Sequence, residues 1–345
     1  MSEMQAAYLT KPGKFELRSV AKPTPKDDEV LIKVSNCNIC GTDMHIFNGH
    51  YSADKLPMVL GHEFSGVITE LGKSVNHLSI GQSVTVDINK GCGHCYYCRQ
   101  NEIMNCPDIS QIGIHENGAF AEYISVPARL VLVAPEGTSL ELLSLVEPVA
   151  CVVRAARKAQ VSFGQSVVIL GAGPIGNLHV QMMRLIGAAP IIIADLSEER
   201  TQMALDVGAD IAVTNMDQLQ QVVMNHTEGR GADIVIESVG IPQLYEKAFE
   251  LIRPGGHVSA FGITDEHVAL SLKLLDMVLK ETSIKGSVAG MGQDMHDAMT
   301  LLLHYRFKTD AFNSCTFPLE DIQNAFEQVA NQSRPDVLKV QVKVS

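Results

Sequence analysis

Four cysteines carry the most specific chemical signal in the chain. Gly91-Cys-Gly-His-Cys-Tyr-Tyr-Cys98 followed by Cys106 spaces its thiols as C-x2-C-x2-C-x7-C, close enough to close a tetrahedron around zinc. Cys92, Cys95, Cys98 and Cys106 would fill every coordination position, so such an ion stiffens a loop and does no chemistry. His94 lies between them, but four sulfurs already satisfy the metal. Cys37 and Cys315 have no comparable neighbours and read as packing residues.

A metal that does chemistry needs about three protein donors and a position left for a substrate oxygen. Three separate segments offer donors. Ile39-Cys-Gly-Thr-Asp-Met-His45 contributes Cys40, Gly61-His-Glu-Phe-Ser-Gly66 contributes His62 and Glu63, and Val146-Glu-Pro148 contributes Glu147. Each alone reads more readily as a satisfied core residue than as a ligand. Their joint presence points to a second, open site.

A nucleotide signal follows. Ser166-Val-Val-Ile-Leu170 runs into Gly171-Ala-Gly173-Pro174-Ile175-Gly176, and residues 177–186 continue with helical spacing. In such a strand, turn and helix the first glycine makes the tight turn and the second lets the backbone approach a pyrophosphate. The third lets helix and strand pack closely, with phosphates at the helix N-terminus. Asp195 stands nineteen residues beyond Gly176, at the end of the apolar run 191–194, where a carboxylate accepts hydrogen bonds from an adenosine ribose. The cofactor expected is NAD. A 2′-phosphate would face Asp195 with Glu198 and Glu199 close behind, a repulsion that Arg200 alone does not reverse.

These residues need two frameworks to hold them. At 345 residues, with 46% hydrophobic and 19% charged residues, the chain is a folded protein of two domains by size. Residues 1 to about 148 alternate in short apolar stretches (29–34, 64–71, 83–88, 120–126) punctuated by Gly and Pro, which predicts a twisted, barrel-like β domain. From about 151 the runs 167–170, 191–194, 211–213, 234–237 and 257–261 are separated mostly by helix-length stretches, which predicts a parallel α/β sheet. Helices at 293–305 and 319–329 and a strand at 338–344 are too little for a third domain, so this tail should return to the first. The 27 Lys and Arg against 39 Asp and Glu give a net charge of −12, which disfavours nucleic acid as a partner. No run reaches the length of about 18 apolar residues that crosses a membrane. The start lacks a basic stretch followed by an apolar run, so the expected location is the reducing cytoplasm, where metal explains clustered thiols better than disulfides do.

Taken together, Cys40-Gly-Thr-Asp, Gly61-His-Glu, the four-cysteine loop, Glu147-Pro and the Gly171 to Gly176 turn resemble the zinc-containing medium-chain alcohol dehydrogenase family, in its sorbitol and threonine dehydrogenase branch. The likeness spans essentially the whole chain in the right order. It implies an α/β protein with a GroES-like β-rich catalytic domain (1–148 and 286–345), holding two zinc ions per chain, and a Rossmann NAD-binding domain with a doubly wound parallel sheet (149–285). It implies Cys40, His62 and Glu63 as ligands of the catalytic zinc, and Glu147 as the residue that binds that metal or holds its water. Thr42 and His45 match the family's proton relay. The implied activity is hydride transfer to NAD from a secondary alcohol: a polyol, a sugar alcohol, or its phosphate or acid derivative. L-threonine 3-dehydrogenase is the alternative, and a zinc-containing NAD-binding regulatory protein is one of another class, against which the acidic balance argues. Polyol enzymes of the branch carry an Arg-Tyr pair where this chain has Ala289-Gly290. Arg154, seven residues after Glu147 and two helical turns along the same face, is a candidate to meet an anionic group of the substrate. The family also implies a homodimer or homotetramer, joined through a strand near 261–264.

Overall fold

The computed structural model describes residues 2–265, 267–312, 314–331 and 334–345. The chain divides into two compact units, one of residues 1–150, 289–305 and 309–345, the other of residues 151–288 and 306–308. The boundaries lie at Ala150 and Val288, against 148 and 285 in the sequence reading. Residues 306–308 join the second unit because Gln181 clasps Lys308, donating to its carbonyl at 3.2 Å and accepting its amide N–H at 2.7 Å.

The first unit is built on a seven-stranded sheet. Its order is Val131–Val133, Ser83–Val86, Glu63–Leu71, Glu29–Asn38, Val340–Lys343 and Cys315–Pro318, with Tyr123–Pro127 also paired to Glu29–Asn38. A three-stranded sheet carries the N-terminal hairpin Glu3–Lys11 and Lys14–Ala21, which turns at Pro12-Gly13. One apolar cluster, with Leu9, Val30, Ile32, Phe64, Phe120 and Phe326 fully enclosed, fills the unit.

The second unit is a doubly wound parallel sheet. Its order is Ile211–Val213, Ile191–Ala194, Val167–Leu170, Ala232–Glu237, Ile252–Ala260 and Ser283–Gly286, with every pair parallel. Both faces are covered, which explains why its strands read as unbroken apolar runs. Val168, Leu170 and Ile192 pack with Leu219, Val223 and Ala248 on one face, while Val167, Ile169 and Ile193 pack with Val180, Met183 and Ala204 on the other.

Several expected elements shift. The strand expected at 120–126 begins only at Tyr123, because Phe120 instead donates to the Leu60 carbonyl and accepts from the Ala7 amide. The strand expected at 83–88 stops at Val86, where the Asp87 carboxylate takes the Asn89 amide at 3.0 Å and turns the chain. The helix at 319–329 is a 3₁₀ turn, Leu319–Asp321, followed by Ile322–Ala330. No strand lies at 261–264. There the Phe261 and Gly262 amides fold back onto the Glu237 carbonyl, and the sheet edge is Ser283–Gly286 instead.

The glycine turn divides its labour in a way stability can read. A Cβ on Gly176 would collide with the Gly171 carbonyl oxygen, whereas one on Gly173 would meet nothing within 4 Å. In urea unfolding followed by circular dichroism, Gly176→Ala is expected to lose about 1–3 kcal/mol. Gly173→Ala is expected to stay within about 1 kcal/mol of the parent.

Candidate active site

Donors far apart in sequence meet because two strands pair. Asn38, at the end of Glu29–Asn38, lies opposite Glu63, the first residue of the antiparallel strand Glu63–Leu71. Cys40, two residues past one strand end, therefore arrives beside His62 and Glu63 at the start of the other. One ligand atom from each of Cys40, His62 and Glu63 falls within 4.8 Å of the others. Gly61 permits this approach: its φ is +96°, and a Cβ there would come within 2.8 Å of Cys37 Sγ and 3.0 Å of the Phe120 backbone.

Two further residues, given no role in the sequence reading, lie against these donors. Asp43 is fully buried in the helix Gly41–Phe47. Its Oδ2 accepts the Cys40 amide at 2.9 Å, while Oδ1 accepts the Gly61 amide at 3.4 Å and lies 3.3 Å from His62 Nδ1. A carboxylate on Nδ1 fixes the ring and leaves Nε2 for a ligand. Lys339 immediately precedes the strand Val340–Lys343, whose Gln341 pairs with Asn38. It is buried, with Nζ 2.8 Å from the Glu63 carboxylate and 3.4 Å from the Ile39 carbonyl. Asp43 had a signal, the spacing three residues after the helix-capping Cys40; a lone lysine at the head of an apolar strand had none.

The electrostatics of this point favour a cation. Burial disfavours the charged imidazole of His62, yet the negative Asp43 and Cys40 beside it prevail and hold its pKa well above the usual value. Lys339 behaves alike: burial lowers its pKa, but Glu63, Cys40 and Glu147 outweigh that and keep it charged. A soft sulfur, an imidazole and a carboxylate in such a potential fit zinc, with a position left over. Glu147 is buried on the helix Val146–Ala159, near enough to act on Lys339, but does not belong to the three-donor cluster. Thr42 and His45 are half-buried in the helix that Cys40 caps and, three residues apart, share a face.

The four cysteines also converge. Cys92, Cys95, Cys98 and Cys106 are free thiols whose sulfurs lie within 4.8 Å of one another, with Cys92 and Cys98 at 4.0 Å. Sulfurs bound at about 2.3 Å to one tetrahedral centre stand about 3.8 Å apart, so the set fits zinc. Amides of Cys92, Cys95 and Cys98 each point at a neighbouring sulfur at 3.4 Å. The His94 and Cys95 amides at its sulfur lower the Cys92 pKa to about 6, toward the thiolate that binds metal.

In the second unit Val167–Leu170 leads through the glycine turn into the helix Pro174–Ile186, with Gly173 as its N-cap, Pro174 opening its first turn and Ile175 following. Gly171 has φ +99°, and Val239 packs where its side chain would be. The turn sits where the strand order reverses, between Val167–Leu170 and Ala232–Glu237, the place such sheets bind ligands. Asp195 follows the strand Ile191–Ala194. Its Oδ2 accepts the Ala172 amide at 2.7 Å and its Oδ1 the Ser197 amide at 2.9 Å, which aims the carboxylate along the turn. Arg200 is half-buried in the helix Glu198–Val207, its amide on Ser197 Oγ at 3.2 Å. Arg154 lies on the helix of Glu147 but is counted with the second unit.

Comparison with known proteins agrees with this geometry. Residues 26–136 match the alcohol dehydrogenase GroES-like domain and residues 174–304 the zinc-binding dehydrogenase family. The L-threonine 3-dehydrogenase of Pyrococcus horikoshii is 35% identical over 292 residues, 83% of each chain. D-arabinitol dehydrogenase 1 of Uromyces fabae is 29% identical over 346 residues, covering 99% of this chain and 97% of that one. Among solved structures, a Sinorhizobium meliloti 1021 protein bound to NADP superposes with a TM-score of 0.92 over the whole of both chains at 30% identity. No helix among the described residues is long and apolar enough to cross a membrane. With a GroES-like unit carrying the three-donor cluster and a Rossmann sheet carrying the glycine turn, the chain belongs to the zinc-containing medium-chain alcohol dehydrogenase family.

Proposed function

We propose that the protein oxidises a secondary alcohol with NAD, the substrate being a polyol, a sugar alcohol, or its phosphate or acid derivative. The observation that carries this reading is the meeting of Cys40, His62 and Glu63 within 4.8 Å. When bound there, zinc supplies the Lewis acidity that lowers the pKa of an alcohol oxygen, and the nicotinamide supplies the hydride acceptor. The chain's own residues do the rest. Thr42 accepts the hydroxyl proton and His45 carries it toward solvent. Asp43 keeps His62 in the ligating tautomer, and Lys339 offsets the charge of Glu63, so that two anionic donors do not quench the metal's acidity. Glu147 is either a fourth donor or the group that holds the metal's water.

NAD over NADP rests on Asp195. Its carboxylate, fixed by two amides, suits two ribose hydroxyls and repels a 2′-phosphate, with Glu198 and Glu199 adding to that repulsion at the start of the next helix. Arg200, in the same helix, would border the adenosine. The four-cysteine loop takes a second zinc in a structural role. Cys40→Ser is expected to bind one zinc per chain where the parent binds two, by elemental analysis. It is expected to lose at least about 10³-fold in NAD-linked kcat/KM while its circular dichroism is unchanged. A parent faster with NADP, or a Cys40→Ser protein as active as the parent, would defeat the assignment.

The substrate is narrowed by one packing fact. A Cβ on Gly290 would collide with the backbone of Ala150, so the Arg-Tyr pair of sorbitol enzymes has no counterpart here. The identity to the P. horikoshii enzyme favours L-threonine as a second reading. We assign Arg154 to an anionic group of the substrate. In a panel of alditols, alditol phosphates, sugar acids and threonine, Arg154→Ala is expected to raise KM about tenfold for the anionic members alone. An equal rise for neutral polyols would refute the assignment.

The second unit's surface supports an assembly. Leu274, Leu275, Val278 and Leu279, on the helix Leu274–Lys280, are 69–73% exposed, and the nearby strand Ser283–Gly286 is an open edge. Apolar side chains beside an unpaired edge suit a second copy of the same face, and we assign a homodimer, or a homotetramer built on it. Leu275→Glu combined with Val278→Glu is expected to reduce the mass measured by light scattering to a smaller species; a monomeric parent would rule the interface out.

A further inference from the structure

The chain re-enters its first unit through residues 289–292, and this segment is bent. Ala289 has φ +29° and Gly292 φ +51°. A non-glycine residue in that region persists where its neighbours over-determine it. Here the neighbours include Asp87 and Asn89, which stand just before the four-cysteine loop. Asn89 precedes the loop and Gln111 follows it, paired across the short ladder of Asn89–Lys90 with Ser110–Gln111. Gln111 Nε2 donates to Asn89 Oδ1 at 2.8 Å and approaches Met104 Sδ, within the loop, at 3.8 Å. Asn89 Nδ2 donates to the Gly290 carbonyl at 3.0 Å and to Asp87 Oδ1 at 2.8 Å. Asp87 Oδ2 accepts the Gly292 amide at 2.8 Å. Asn101, also in the loop, stands beside Gly292.

All three side chains of this chain of bonds are buried. A buried network in which each polar group has its partner tolerates little displacement, because any shift leaves a donor or acceptor unpaired. Metal bound by the four cysteines would fix the sulfurs of Cys92 and Cys106, and so the ends of the loop that the Asn89–Gln111 pair joins. The far end of the network is Gly290 and Gly292, and the resemblance implies a substrate-contacting pair at positions 289 and 290.

We propose that Asp87, Asn89 and Gln111 form a positioning strut through which metal in the four-cysteine loop sets the place of residues 289–292. The strut makes the structural metal a determinant of substrate affinity as well as of stability; this second consequence rests on the dehydrogenase reading, the strut itself does not.

Hydrogen exchange tests it in the Cys40→Ser chain, where the four-cysteine loop is the remaining complete zinc site. Zinc added to the metal-free protein is expected to slow exchange in peptides covering 93–105 and 286–295, the latter by about tenfold. With Asn89→Ala added, zinc is expected to slow 93–105 alone. Protection of 286–295 that survives Asn89→Ala, or that is absent in both proteins, overturns the strut. If the metal-free chain does not stay folded, the reciprocal measurement decides. Zinc release to a chromophoric chelator from zinc-loaded Cys40→Ser protein is expected to be about tenfold faster with Asn89→Ala, and equal rates overturn the proposal. In the otherwise unaltered zinc-loaded enzyme, Asn89→Ala is expected to raise KM for the alcohol about fivefold with kcat within about twofold. A fall in kcat at unchanged KM refutes the effect on substrate affinity. A parent with no dehydrogenase activity would refute the functional reading and leave the exchange result to judge the strut.

Discussion

The register of one strand governs the chemistry of the first unit. Glu29–Asn38 pairs on one side with Glu63–Leu71 and on the other with Val340–Lys343, and at its end Asn38 stands between Glu63 and Gln341. That single position brings together Cys40 from beyond the strand, His62 and Glu63 from its neighbour, and Lys339 from a segment near the other end of the chain. Side chains alternate between sheet faces, so a slip of one residue would turn Glu63 away from the cluster and part it from Lys339. The buried side-chain contacts among Asn36, Asn38, Gln341 and Ser144 lie along the same register and make such a slip costly.

Charge is arranged around that register with some care. Cys40, Glu63 and Asp43 are the negative or potentially negative groups, and Lys339 is their buried counterion. An isolated buried carboxylate would sooner take up a proton than remain charged. Lys339 sets a positive charge against Glu63, and two backbone amides donate to Asp43. The sulfur of Cys40 and the free edge of His62 then face a point already prepared for positive charge.

How far the sequence discloses this depends on the distance over which each feature is built. The cysteine loop and the glycine turn are local, so spacing alone names their residues; the four sulfurs lie together and the turn joins a strand to a helix. Cys40, His62, Glu63 and Glu147 come from three segments; their types suggested a common site, but only strand pairing shows that the first three meet, with Glu147 outside that group of three. Asp43 was inside a motif already noticed, its task hidden until Gly61 and His62 came beside it. Lys339 lay beyond any spacing rule. The strand expected at 261–264 failed for a similar reason: the run is apolar enough, but its amides are taken by the Glu237 carbonyl, a partner no local pattern reveals.

The second unit is inserted between Ala150 and Ala289 of the first, and this has a consequence for synthesis on the ribosome. Cys40, His62 and Glu63 emerge early, yet the strand that brings Lys339 to Glu63 emerges only after the whole inserted sheet. Until then Glu63 has no counterion and the central sheet lacks an interior strand. Translation therefore passes through a period in which the nascent first unit must wait, its open edge shielded or its folding delayed, while a complete nucleotide-binding fold is made and set aside.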